Sequence, residues 1–309
     1  MLHLRLISPS GTTDDVVRLL ERTVGTAHLV VLPGAARDPA GDLVLCDVAR
    51  EAGDELIGEL RALGLHETGS IAVEDIGLSL SHRADKAEKD APGEGADAVL
   101  WEGLTEATHE ESTLSVTYVA FITLATMIAA CGVVLDNAIL IVGAMAVGPE
   151  FGPLAGISTS VVRRQPRLAL RSLIALLVGF AVAMLVTVAF TLFMDAAGLF
   201  HESDLEGDRP NTAFVYAPDA FSFIVAVLAG MAGTLSLTSA KSGALVGVAI
   251  SVTTVPAAAN AAVALAYGDM SQTIGSTNQL LLNLLGIVLA GIGTLVAQKY
   301  FWRRQRRVS

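Results

Sequence analysis

Six apolar segments lie between Leu114 and Gln298, at roughly 114–135, 137–161, 168–194, 220–239, 242–267 and 278–298. Each matches a hydrocarbon layer about 30 Å thick. Inside such a layer every backbone amide and carbonyl must be satisfied by the protein itself, which leaves helices as the natural spanning form. The expected fold is an α-helical polytopic membrane protein. The composition agrees, with 52% hydrophobic residues and a mean hydropathy of +0.58.

The second segment departs from an ordinary span. It reads Gly143-Ala-Met-Ala-Val-Gly-Pro-Glu-Phe-Gly-Pro-Leu-Ala-Gly156. Pro149 and Pro153 each remove an amide donor and leave a carbonyl unpaired. Irregular backbone at membrane depth is tolerated only where protein or water satisfies it. Glu150 stands between the two prolines, and a charged side chain in a span is a functional-site candidate.

Arginine and lysine in short loops set orientation. Arg163, Arg164, Arg167 and Arg171 lie between segments two and three or just inside the latter. Lys241 lies between four and five, and Lys299, Arg303, Arg304, Arg306 and Arg307 follow six. With six spans these clusters share one side. The opposite side holds Asp136, the acidic stretch 195–219 with only Arg209 as a base, and Asp269. Residues 1–10 lack the features of a secretory signal. The expectation is a multi-pass protein of the cell membrane with both termini cytoplasmic.

Residues 1–81 read as a small soluble domain. His3–Ile7 alternates as a strand, and Thr12 opens a helix whose apolar face is Val16, Val17, Leu19, Leu20 and Val24. Further strands are expected at Ala27–Leu32, closed by Pro33-Gly34, at Leu43–Val48 and at Ser70–Leu80, with a second helix over Gly53–Leu65. The order βαββαβ is that of a ferredoxin-like α+β sandwich. Residues 82–98 are charged and carry Gly and Pro, which suggests a flexible linker. An amphipathic helix over 99–113, with Val99, Leu100, Leu104 and Ala107 on one face, precedes the membrane domain 114–298. Its acidic face argues for packing on protein rather than on anionic lipid. A basic tail, 299–309, ends the chain.

Val142-Gly143-Ala144 has an echo in Val246-Gly247-Val248, and Pro153 then falls within one residue of Pro256. Three spans per unit would place the second copy upside down in the membrane. A 3+3 inverted repeat with broken helices two and five is the expected arrangement, and such breaks point to a binding site.

Several blocks resemble the DUF389 family of uncharacterised membrane proteins. Ile128-Ala-Ala-Cys-Gly-Val133 is similar to the end of that family's first span. Gly143 through Pro153 is similar to its Gly-Ala-Met and Gly-Pro signature. Ala244–Ile250, Val255-Pro256 and Leu282-Asn-Leu-Leu-Gly286 are similar to later blocks. The resemblance covers most of residues 100–298. This chain has Gly148 where the family usually has serine, Glu150 where an apolar residue is usual, and Ala257 where a second proline is common. The resemblance implies a polytopic membrane protein, often with a small cytoplasmic N-terminal domain, and supplies no substrate.

The candidate solute or ion site consists of Glu150, Gly148, Gly152, Pro149, Pro153, Thr253, Thr254, Pro256, Asn260 and Asn283. Glu150 is read as a ligand for a proton or cation, or else as a carboxylate in a structural hydrogen bond. Ala144, Gly148, Gly152 and Gly156 form a small-residue ladder at period four, which serves close helix packing or frees backbone for a ligand. Ser251, Thr253, Thr254 and Asn260 bracket Pro256, where hydroxyls either bond back to their own backbone or line a site. Asn283 reads as an interhelical hydrogen bond.

Six isolated histidines, at 3, 28, 66, 82, 109 and 201, lack metal-ligand spacing. Cys46 and Cys131 read as buried apolar residues. No phosphate loop, dinucleotide fingerprint or nucleophile elbow is present, so no enzyme activity and no cofactor are expected. The net charge of −11, without a basic stripe in the soluble part, argues against nucleic acid. The expected partners are the lipid bilayer, further copies of the chain and a small solute or ion. Two functions fit: a transporter or channel-like protein with a cytoplasmic sensing or gating domain, or a membrane-anchored sensor or scaffold without transport.

Overall fold

The computed structural model describes residues 1–91, 93, 98–207, 209–216, 220–239 and 253–305. Two compact units emerge, one built on Met1–Gly103 and the other on Leu104–Leu237 and Lys241–Lys299.

The first unit contains β1 (Leu2–Ser8), α1 (Thr13–Arg22), β2 (Thr26–Arg37), β3 (Ala40–Val48), α2 (Arg50–Ala62), the single turn α3 (Leu65–Thr68), β4 (Ser70–Asp75) and α4 (His82–Asp90). The sheet is antiparallel in the order β2-β3-β1-β4. Alternation along β1 sends Leu2, Leu4 and Leu6 to one face, where they meet Val44, Cys46 and Val48 of β3. Val16, Leu19 and Leu20 of α1 and Leu56 and Leu60 of α2 cover that face. Cys46 is a free, buried thiol, and its burial pushes its pKa up to about 11, which suits an inert apolar residue.

Three local readings change. Pro33-Gly34 does not close β2; the strand runs on to Arg37 through a register shift between Leu32 and Ala36. Gly34 takes φ +65° there, and Asp42 makes the shift possible by accepting from the Gly34 amide at 2.8 Å and from the Thr13 hydroxyl at 2.7 Å. The last strand stops at Asp75 rather than Leu80. The stretch read as a linker begins as a helix: Ser81 caps α4, and Ala84 and Ala87 are buried.

Those bonds, from Thr13 first and Gly34 second, hold the Asp42 carboxyl below its ordinary range. A group depressed in the folded state contributes stability that is present above its unfolded pKa, about 3.9, and lost as pH falls through the folded value. A fragment of residues 1–91 is expected to unfold cooperatively in urea and to weaken as pH drops from 7 toward 3. Asp42→Asn should be less stable at pH 7 and show a smaller loss on acidification. An unchanged pH profile in that variant would remove Asp42 from the account.

The second unit is helical: the end of α5 (Trp101–Glu111), then α6 (Val116–Val134), α7 (Ala138–Val147), α8 (Phe151–Arg163), α9 (Pro166–Ala196), the short α10 (Glu202–Glu206), a 3₁₀ turn at Ala213–Val215, α11 (Ala220–Thr238), α12 (Thr254–Tyr267) and α13 (Met270–Gln305). Helix starts follow their capping residues. The Ser115 hydroxyl accepts from the Tyr118 amide at the start of α6, Asn137 accepts from Ile139 and Leu140 at the start of α7, and Pro166 is the first residue of α9.

Among the described residues four helices, α6, α9, α11 and α13, are long and apolar enough to cross a membrane, and five spans result if α7 and α8 are counted as one bent span. Large apolar side chains such as Leu170, Ile174, Leu177 and Leu185 of α9 are exposed, which is compatible with a lipid-facing surface. The sixth expected span is not found as drawn. Of 242–267 only α12 is described, with fourteen residues; the Val246-Gly247-Val248 echo, Ala244–Ile250, Ser251 and Lys241 lie outside the described residues.

Helix α12 packs against α6, α7 and α9, and every residue from Thr254 to Ala264 is buried. Its run of alanines gives it no polar face to expose, and their small side chains suit a helix enclosed on all sides. Close approaches recur elsewhere. A Cβ on Gly230 of α11 would lie 2.7 Å from the Ile287 carbonyl of α13, and one on Gly132 of α6 would lie 2.8 Å from Ile141 of α7.

Candidate functional site

The break between α7 and α8 follows from one residue. Proline disfavours the helical region for its predecessor, and Gly148 before Pro149 is extended, with φ −65° and ψ 128°. The chain bends by 52° and restarts with Glu150 as the N-cap of α8. Pro153 is the third residue of α8, and Pro256 is the third residue of α12. In an opening turn the missing amide costs nothing, because the first four are unpaired anyway. Neither proline interrupts its helix, and the stretch 240–252 before α12, where a break in span five was expected, lies outside the described residues. The bend also splits the small-residue ladder: Ala144 belongs to α7, while Gly152 and Gly156 belong to α8.

Glu150 is 5% exposed. Its Oε1 accepts from the Thr254 hydroxyl at 2.6 Å, and its Oε2 has no hydrogen-bond partner among the described residues. The carboxylate thus lies at the starts of α8 and α12, whose unpaired amides favour negative charge. Gly148 makes the room: a Cβ there would collide with Oε2 of Glu150 and lie 2.8 Å from Val255. The two positions at which this chain departs from the signature, Gly148 and Glu150, are therefore one steric unit.

The adjacent residue, Thr253, accepts from the Asn283 side-chain amide at 2.9 Å, while Asn283 Oδ1 is left without a partner. Asn283 shares a face of α13 with Gln279, Ser276 and Gln272, at spacings of four, three and four residues. Gln279 is fully buried, and neither atom of its amide head has a partner. Gly148, Pro149, Glu150, Thr253, Thr254 and Asn283 therefore converge.

Gly152 and Asn260 do not join them. Gly152 faces Glu111, whose Cβ would be 2.6 Å from a Cβ placed on the glycine, and Gly156 faces Ser112 and Ser172. These contacts seat the residues after Leu104 on α8 and α9, helped by Ser172 donating to Ser112 at 2.9 Å. Burial first, and Glu110 second, raise the Glu111 carboxyl above its ordinary value. A cavity of about 400 Å³ opens beside the break, lined among others by Glu110, Glu111, Tyr118, Gly148 and Pro149; Glu150 does not line it.

Asn260 belongs to a second polar cluster, about 9 Å along α12 from Thr254 at 1.5 Å per residue. There Arg209, 4% exposed, donates from Nη1 to Asn260 Oδ1 at 3.1 Å and from Nη2 to Gln272 Oε1 at 2.6 Å, and lies over the Tyr216 ring at 4.8 Å. Asn260 in turn donates to Ser276 at 2.7 Å. Asp136, at the α6–α7 turn, accepts from Asn211 and Thr212 and anchors the same loop. The sequence marked Arg209 only as the lone base of an acidic loop, and that solitude was the available signal. Gln279 carried no signal except its face.

In the first unit two of the histidines read as isolated share a carboxylate. His3 Nδ1 and His28 Nδ1 each lie 2.7 Å from Asp47, and His28 Nε2 lies 2.8 Å from the Ser81 hydroxyl. Among the described residues no group of three His, Cys, Asp or Glu side chains is placed to hold a metal ion.

The chain is 26% identical over 208 residues to the uncharacterised protein MJ0678 of Methanocaldococcus jannaschii. That alignment covers 67% of this chain and 61% of the relative, so less than two thirds of the relative's length is spanned. No solved structure matches. Residues 145–289 match the family described as Domain of unknown function (DUF389). This stretch runs from the end of α7 through the Glu150 break, α12 and most of α13, so the candidate site lies within the matched residues.

Proposed function

We propose that the helical unit moves a small solute or ion across a membrane and that the site lies where the α7–α8 break meets the start of α12. The observation that carries this reading is Glu150: a carboxylate 5% exposed, with one oxygen held by Thr254 and the other unpartnered. A protein that used these helices only as an anchor has no need of such a group, because intramembrane charge is costly. Matching prolines at the third residue of α8 and of α12 support the inverted-repeat reading. Six spans with cytoplasmic termini, assembly with further copies of the chain and the absence of enzyme chemistry belong to the same proposal. For the first unit, the strand order β2-β3-β1-β4 supports a ferredoxin-like fold with a sensing or gating role.

The test is flux. Wild type and Glu150→Gln are reconstituted in vesicles loaded with a pH-sensitive dye. Uptake is then followed under imposed pH and salt gradients across about pH 5 to 8, the interval in which fold stability varies least. Glutamine keeps the shape and the bond from Thr254. The expected result is pH-dependent or ion-dependent flux in wild type and its loss in the variant at equal yield. Matching profiles would remove Glu150 from the mechanism.

A further inference from the structure

The unpartnered atoms around the start of α12 are not a random set. Consecutive hydroxyls, Thr253 and Thr254, take up one polar atom each of Asn283 and Glu150. What remains is Oε2 of Glu150 and Oδ1 of Asn283, both oxygens, both buried and both without a donor. One turn along the same face of α13, Gln279 adds an amide head whose Oε1 and Nε2 are both buried and unpartnered. Glu150, Asn283 and Gln279 are 5%, 1% and 0% exposed. Buried polar atoms are almost always satisfied, so three acceptors without donors among the described residues call for a bound species that pairs with them.

We propose that Glu150, Asn283 and Gln279 form a binding site for a monovalent alkali-metal cation. The donor set selects the class. The three acceptor atoms are all oxygens, which suit hard cations, and no sulfur or imidazole stands among them to favour zinc or copper. One carboxylate supplies one negative charge, where divalent cations are held by several. Arg209, the nearby buried cation, stands beside Gln272, eleven residues from Asn283 and so about 16 Å away along α13. The inference deepens the transport reading, since it names what that site takes, but binding is measured without transport.

The experiment follows the thermal stability of the purified full-length protein in detergent, in sodium, lithium, potassium or choline chloride at equal ionic strength and fixed pH. A ligand that binds only the folded state stabilises it by mass action. At least one alkali cation is expected to raise Tm over choline, by about 5–10 °C at a hundred times its Kd. Gln279→Leu removes two unpartnered buried polar atoms, so its Tm in choline should not fall, while the cation-dependent rise should disappear or shrink several-fold. Asn283→Asp keeps an oxygen at that position and should retain the rise. Equal Tm of the wild type in all four salts, or a full rise in Gln279→Leu, would overturn the site. If no alkali cation acts while Glu150→Gln abolishes pH-driven flux, the transport reading stands and the cation site falls. A cation-specific rise lost in Gln279→Leu, with no flux in vesicles, leaves the site standing and removes transport.

Discussion

Arg209→Leu is expected to lower the thermal stability and yield of the purified protein sharply, although the residue lies in a loop. Leucine leaves Oδ1 of the buried Asn260 and Oε1 of the half-buried Gln272 without their donor. An orphaned buried acceptor costs about 1–3 kcal/mol, and Asn260 becomes one. The stacking over Tyr216 goes as well. Relief from desolvating the guanidinium offsets part of this, since burial already pulls its pKa below the ordinary value. Arg209→Lys should rescue little, because an ammonium group lacks the planar fork that reaches two acceptors at once. Thermal unfolding of the three proteins decides it. A leucine variant as stable as wild type would mean that the cluster does not hold the loop.

Gly148→Ala is expected to destabilise the helical unit and to disturb Glu150 at the same time. The added carbon would overlap Oε2 of Glu150 and press on Val255 at 2.8 Å. Overpacking of this kind costs about 1–3 kcal/mol. Here the side chain obliged to move is the buried carboxylate, so the variant should also lose whatever pH or ion dependence the wild type has. The pair should be strongly non-additive: Gly148→Ala combined with Glu150→Ala restores the space and should recover much of the stability lost in the first variant, without recovering the ion dependence. Additive effects within about 0.5 kcal/mol would show that the glycine and the glutamate are independent.

How much of this was legible depends on how local the signal was. The break at Gly148-Pro149 and the isolated charge of Glu150 are written in adjacent residues, and both were readable. The core of the first unit was readable too, because alternation in Leu2, Leu4 and Leu6 is a period-two pattern. The extension of β2 past Pro33-Gly34 was not, because it rests on Asp42, which approaches only after β3 has paired. Pro256 stands in the opening turn of α12, whose start the sequence does not mark. Arg209, Gln272, Asn260 and Ser276 come from three separate stretches and meet only in the folded protein. Gln279 follows Ser276, Thr277 and Asn278 in the sequence and looks like the end of the polar opening of α13; its meaning appears only when its amide proves to be buried without a partner among the described residues.

The most direct test of the central claim is a density map of the full-length protein in a lipid bilayer at a resolution that shows ordered water or ions. The account predicts a polar cavity reaching Glu150, Gln279 and Asn283 at membrane depth, with density bridging their unpartnered oxygens and access to one face of the bilayer. Close packing of apolar side chains around Glu150, with its Oε2 bonded to a protein donor and no path to water, would contradict it.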